Sequence, residues 1–173
     1  VNSLFRIIVS YENHLILILS IPFVVLIRLL RPFIILRFGY LISDRIGHFA
    51  IDTELYLIEK SLKTYNKNYR DFFYLRYPIC NTQLLKLWRR KIKIYNFVKN
   101  IDSVNRLFPG GSVHEINLIS GRDAKDLLFK SNPQVYMSKF ELNEGFKFLN
   151  KLNVYDQKFI CFHIRDSKYL KTL

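Results

Sequence analysis

The segment from Leu15 to Leu30 reads LILILSIPFVVLIRLL, almost unbroken apolar sequence interrupted only by Ser20, Pro22 and Arg28. Such a run has to be buried in protein or in lipid, because water around it forfeits the favourable transfer of its side chains. At 1.5 Å per residue its length is about 24 Å, short of the roughly 30 Å hydrocarbon core of a bilayer unless Arg28 and Arg31 reach to the interface. We read it as a membrane-spanning or half-embedded helix, with a buried core helix and a signal sequence as alternatives. A cleaved signal peptide fits worst, since no small-residue cleavage site follows and Arg28 and Arg31 come at once. If the helix spans, Arg28, Arg31 and Arg37 stand after it and Arg6 before it, so the positive-inside bias places the remainder in the cytoplasm. Residues 1–31 thus form a membrane-associated segment, on the cytoplasmic face of the inner membrane.

The rest of the chain has the means to fold. Across all 173 residues, half are hydrophobic and 16% aromatic, which excludes a disordered tail. Lys and Arg number 27 against 14 Asp and Glu, a net charge of +13 that favours phosphates, acidic lipid or nucleic acid as partners. Cys80 and Cys161 belong to no cluster of metal-ligand spacing and read as small buried hydrophobes in a reducing compartment. Val1 in place of Met, and a last residue close behind an apolar run, give the expectation that both ends are cut.

After the break at Arg31-Pro32, Phe33–Phe38 predicts a buried strand ending at Gly39. Ser43 or Asp44 then caps a helix to about Lys60, with Ile46, Ala50, Thr53 and Leu57 on its apolar face, widened by Ile51, Leu55 and Ile58. Asp71–Tyr77 predicts a second strand stopped by Pro78, and a helix starts near Asn81 with Leu84, Leu87 and Trp88 on one side. Lys86, Arg89, Arg90 and Lys93 stand on its other side. The stretch through Asn105 reads equally as helix or loop, closed by Pro109-Gly110-Gly111. A capping box at Ser138 and Glu141 opens a helix carrying Phe140, Leu142, Phe146, Leu149 and Leu152, and Lys158–Ile164 predicts another buried strand. Alternating strands and helices give an α/β fold, a layered, mostly parallel sheet preceded by the apolar helix.

In open α/β sheets ligands bind beyond the carboxyl ends of the strands, so the residues after Phe38 and after Ile164 carry the first candidates. Arg45, His48 and Asp52 follow at three- and four-residue steps on one helical face. A cation in the first helical turn works against the helix dipole, which suits Arg45 to holding an anion, although a solvated Arg45 beside a His48–Asp52 surface pair reads equally well. At the later strand, His163 precedes Arg165, whose planar fork suits a phosphate; an ordinary Arg165–Asp166 loop pair beside a core histidine is the alternative. Gly-x-Gly-x-x-Gly, Walker, Gly-x-Ser-x-Gly, His-Glu-x-x-His and Asp-x-Asp patterns are all absent. Lys86, Arg90 and Lys93 read as a solvated face, as a contact for anionic lipid, or as a nucleic-acid patch, and no nucleic-acid-binding module accompanies them.

Pro32–Gly39, the block Ser43-Asp44-Arg45-Ile46-Gly47-His48-Phe49-Ala50 and Thr53-Glu54-Leu55 resemble the N-terminal signature of a family of bacterial glycosyltransferases associated with surface-polysaccharide synthesis. Ile79-Cys80-Asn81 and Cys161–Ser167 with Tyr169-Leu170 add to the likeness, which covers residues 32 to 170. The Cys161–Ser167 block is also similar to the His-x-Arg motif of GDP-fucose-dependent fucosyltransferases, with Asp166 where a second Arg is common. The resemblance implies a metal-independent enzyme with two Rossmann-like domains, an acceptor-side domain over 32–153 and a donor-side domain beginning at 154–173. Its substrates would be a nucleotide sugar and a glycan or lipid-linked acceptor, with membrane lipid as a further partner, no resident cofactor and no nucleic acid. Arg165 and His163 would serve the donor diphosphate, His48 and Asp52 the acceptor as base and orienting carboxylate, and Arg45 an anion beside them. As the front part of such an enzyme, the chain alone would be inactive. The alternative from another class is a non-catalytic basic module bound to anionic lipid or polymer.

Overall fold

A computed structural model of the chain describes residues 17–62, 68–118, 122–154, 158 and 160. These fall into two compact units, 1–136 and 137–173. The first is an α/β unit of helix α1 (17–29), β1 (Ile35–Leu41), α2 (Ile46–Leu62), β2 (Tyr69–Leu75), α3 (Thr82–Arg89), β3 (Lys93–Ile94), α4 (Val98–Arg106), a 3₁₀ turn over Gly111–His114 and the short α5 (Leu127–Lys130). The second contains α6 (Lys139–Lys151).

The sheet is parallel in the order β1-β2-β3. β1 and β2 pair over their whole length, from Ile35 opposite Tyr69 to Leu41 opposite Leu75. On the far edge of β1 the chain returns at Glu115, bridged in parallel to Phe38, and the Ile116 N–H donates to the Phe38 carbonyl at 2.8 Å. β1 is therefore flanked on both sides. Pleating sends alternate residues to opposite faces, and both faces are apolar. On one, Leu41, Phe73 and Leu75 pack with Phe49 and Leu57 of α2 and with Leu85 and Trp88 of α3. On the other, Phe38, Leu36, Phe72 and Tyr74 pack with Ile27 of α1 and with Val98 and Ile101 of α4.

The apolar N-terminal run is thus a layer of the fold. Ser20, Val24 and Ile27, at steps of four and three, are its buried stripe. Its arginines do not reach outward to an interface as expected. Arg28 donates to the carbonyls of Pro109 (2.7 Å), Asn105 (3.2 Å) and Phe108 (3.2 Å), and Arg31 donates to that of Gly110 (2.8 Å). Gly110 itself takes a left-handed φ of 75°, open to glycine at little cost. Arg31 Nε also donates to His114 Nε2 at 2.8 Å, and the opposite ring nitrogen, Nδ1, lies 2.5 Å from the Leu36 carbonyl. Those two contacts require the neutral Nδ1–H tautomer. Among the described residues no helix is long and apolar enough to cross a membrane, and 17–29 extend only about 20 Å.

Several boundaries differ from the sequence reading. β1 begins two residues after Phe33 and runs through Gly39 to Leu41. Gly39 serves close approach here, since a Cβ on it would meet the Phe73 ring at 3.0 Å and Ile116 Cβ at 3.1 Å. Neither Ser43 nor Asp44 caps α2 as expected: the Ser43 hydroxyl donates to the Arg76 carbonyl, and the first helical acceptor is the Arg45 carbonyl, bonded by Phe49 N–H at 2.9 Å. The α2 face includes Phe49, fully buried, whose carbonyl accepts Trp88 Nε1 at 3.0 Å. Asn81 caps α3 through its side chain, but α3 ends at Arg89. Lys93 consequently lies on β3, and Lys86, Arg90 and Lys93 do not form one helical stripe. The ambiguous stretch resolves into β3 and α4. In the second unit the capping box is present in both directions, Glu141 N–H to Ser138 Oγ at 3.3 Å and Ser138 N–H to Glu141 Oε2 at 2.7 Å. Of the strand expected over Lys158–Ile164, only 158 and 160 are described; both are exposed and neither is in a strand.

One buried ionic cluster locks α2 to the sheet. Asp71 accepts from Arg37 Nε at 2.7 Å, Lys60 Nζ at 2.7 Å and the Tyr56 hydroxyl at 2.5 Å. Burial alone would raise the Asp71 pKa, yet these donors and the Arg37 charge hold it below the ordinary carboxylate range.

The histidine clamp sets a pH dependence. Burial first, then the Arg31 and Arg28 charges, outweigh the Leu36 hydrogen bond and depress the His114 pKa below its ordinary 6.5. The unfolded chain therefore takes up a proton at higher pH than the folded one. The His114 contribution is complete above about pH 6.5 and is lost as pH falls through the lower folded value. Urea midpoints should decline as pH drops from about 7 to about 5, and His114→Asn should flatten that part of the slope.

Candidate functional site

The carboxyl ends of β1, β2 and β3 present three loops on one edge of the sheet. The chain leaves β1 toward β2 and β3 on one side, and on the other side an isolated bridge joins Glu115 to Phe38, so the chain runs to either side of β1. In open α/β sheets the crevice outside the carboxyl ends of the strands is where ligands bind. The carboxyl end of the first strand, where the sequence places its first candidates, lies three residues later than expected, at Leu41.

The loops are bonded to one another. Arg76 N–H donates to the Leu41 carbonyl at 3.1 Å, and Cys80 N–H to the Ser43 carbonyl at 2.8 Å. Asn96, beyond β3, accepts Leu75 N–H at 3.3 Å and donates to the Tyr77 hydroxyl at 2.6 Å. This backbone lattice fixes the start of α2 and with it the site residues that α2 carries.

His48 and Asp52 come together as the spacing predicts: His48 Nδ1 lies 3.1 Å from Asp52 Oδ2. Asp52 is 2% exposed and His48 32%, which orients the ring on a buried carboxylate while one edge still meets solvent. With Nδ1 turned to Asp52, Nε2 is left as the basic nitrogen. Arg45 is exposed at the start of α2, next to the first-turn backbone N–H groups that precede the first helical donor, Phe49 N–H. His163 and Arg165 lie outside the described residues. Among the described residues no three His, Cys, Asp or Glu side chains gather as metal ligands.

The same edge holds groups that the sequence reading passed over. Asp44 is 9% exposed, with Oδ2 3.3 Å from Arg76 Nε, and its buried Oδ1 has no hydrogen-bond partner among the described residues. Arg76 stands at the mouth of β2, where the rule applied to the other strand ends would have found it. Asn96 had no such signal, because β3 is two residues long. Cys80 is exposed, against the expectation of a buried hydrophobe, in the loop before α3, which starts only after its cap Asn81. Cys161 lies outside the described residues. Compared with known proteins, the chain matches no family model, no curated protein and no solved structure.

Partial enclosure of the thiol, and secondarily the Asp44 charge, raise the Cys80 pKa above its ordinary value, and the local backbone hydrogen bond only partly offsets them. The thiolate fraction at neutral pH is correspondingly small. Iodoacetamide should label Cys80, followed by peptide mass mapping, more slowly than a free cysteine at about pH 7.5, and Asp44→Asn should speed it.

Proposed function

We propose that the chain is the acceptor-side part of a metal-independent, membrane-associated glycosyltransferase, which moves a sugar from a nucleotide-sugar donor to a surface-polysaccharide or related glycan or lipid-linked acceptor. The observation that carries this reading is the His48–Asp52 pair on α2, the helix that follows the carboxyl end of β1, with Arg45 at the start of that helix. Sheet order and helices on both faces are compatible with a Rossmann-like domain, and the motif resemblance supplies the reaction class.

In the reaction, His48 Nε2 takes the proton of the acceptor hydroxyl as its oxygen bonds to the anomeric carbon. The bond from that carbon to the diphosphate oxygen breaks, and its electron pair leaves with the nucleoside diphosphate. Asp52 holds the ring by Nδ1–H and balances the imidazolium charge, a positioning and electrostatic role. Arg45 holds an anionic group at the acceptor. Arg165, with His163, receives the departing diphosphate charge by paired hydrogen bonds.

The outer face of α1 supports the membrane part. Ile18, Leu19, Phe23, Val25, Leu26 and Leu29 are each 50–69% exposed. The polar residues of the helix, Ser20 and Arg28, point the other way, into the protein. This polarity is inverted relative to a helix facing water. We place α1 in the plane of the interface, on the cytoplasmic face of the inner membrane. A second reading is the non-catalytic module on anionic lipid, in which Lys86, Arg90 and Lys93 supply the headgroup contacts; Lys86 and Arg90 belong to the α3 side of the sheet, opposite α1.

Nucleotide-sugar turnover by the full-length protein in membranes separates the two. His48→Ala should lower turnover by about 10²–10⁴-fold, as loss of a general base does, and Asp52→Asn by less. Arg165→Ala should abolish turnover with membrane attachment intact. Absence of turnover by the unaltered protein contradicts the enzyme reading, and turnover that survives all three changes contradicts the roles given to these residues; attachment lost on removing Lys86, Arg90 and Lys93, and weakened by salt, supports the module.

A further inference from the structure

Between α1, the sheet and α4 lies a groove of about 220 Å³ in which every lining residue is apolar. Phe23, Leu26 and Leu30 form one wall, Phe97 and Ile101 the other, and Phe72 part of the floor. Phe23, Leu26 and Phe97 are 57%, 53% and 65% exposed, so the groove reaches the surface. Its α1 wall belongs to the same helix that turns an uninterrupted apolar arc outward.

We infer that this groove binds one hydrocarbon chain of a membrane lipid. The lining has no donor or acceptor side chain, so a sugar or nucleotide placed there would lose its hydrogen bonds with water and gain none. Water would fare little better, since apolar cavities lack the polar partners that hold it. The space is several times what one water needs, and so has room for part of an acyl chain. A second protein chain is the weaker occupant, because the outer arc of α1 offers no polar rim for it while Arg28 and Arg31 are turned inward. An anionic lipid also finds a charge at the sheet end of the groove: Lys93 Nζ stands 5.5 Å from the centroid of Phe72, a lining ring. The source of the chain rests on the membrane association proposed above, whereas the groove's chemistry does not depend on glycosyl transfer.

The test has two arms, both with the full chain. In the first, vesicles of phosphatidylglycerol and phosphatidylethanolamine carry a diazirine on one acyl chain, and labelled peptides are mapped after illumination. Labels should fall on the 97–101 segment of α4 as well as on α1. Ile101→Trp fills the groove and should remove the α4 label without changing vesicle co-sedimentation; Leu26→Trp, at the exposed mouth, should do the same if the buried change prevents folding. Labels confined to Ile18, Val25 and Leu29, or undiminished in both filled variants, overturn the inference. In the second arm, cis-parinaric acid in vesicle-free solution should show saturable fluorescence that is lost in the filled variants. No saturable signal there overturns the groove as a chain site. Saturation together with failure to bind vesicles overturns the membrane as the source, and neither result bears on sugar transfer.

Discussion

The parallel pairing of β1 with β2 over seven residues constrains everything else in the first unit. A parallel pair needs a crossover between its strands and presents two apolar faces, both of which must be covered. α2 makes the crossover and, with α3, covers the face of Leu41, Phe73 and Leu75. The face of Phe38 and Phe72 has α1 and α4. Without α1 that second face would be covered by α4 alone.

This requirement explains why the arginines at the end of α1 point inward. Packing Ile27 onto Phe38 brings the last turn of α1 over the carbonyls that follow α4, and Arg28 and Arg31 satisfy them. His114 joins that clamp to β1 through the Leu36 carbonyl. The hydrophobic character of α1 all round thus has two parts. Its inner stripe covers the sheet, and its outer arc, with the groove beside it, is exposed and apolar, the feature on which the membrane proposal rests. The catalytic proposal draws on the opposite property of the same sheet, the carboxyl edge where Arg45, His48, Asp44 and Arg76 collect charge.

The α/β class, both long strands, the starts of α3 and α6 and the His48–Asp52 pair were legible in the sequence, because each rests on a local rule of periodicity, capping or helical spacing. What was not legible depended on tertiary contacts. Gly39 looked like a strand terminator, and only the Phe73 ring across the ladder shows it to be a close-approach position. Lys93 looked like a helix face because a two-residue strand has no periodicity of its own. Ser43 was read as a cap, but the neighbouring loop competes for its hydroxyl through the Arg76 carbonyl. The fate of Arg28 and Arg31 was invisible from their own neighbourhood, since their partners lie about eighty residues away.

The central claim is that α1 is a sheet-covering layer lying flat in the membrane surface. Nitroxide labels at Ile18, Val25 and Leu29, read by oxygen and nickel-chelate accessibility in anionic vesicles, give their depths directly. The account predicts similar shallow depths, within about 5–10 Å of the headgroup boundary, for all three. Depths that increase steadily along the helix by about 1.5 Å per residue would mean that it crosses the bilayer, and would contradict the account.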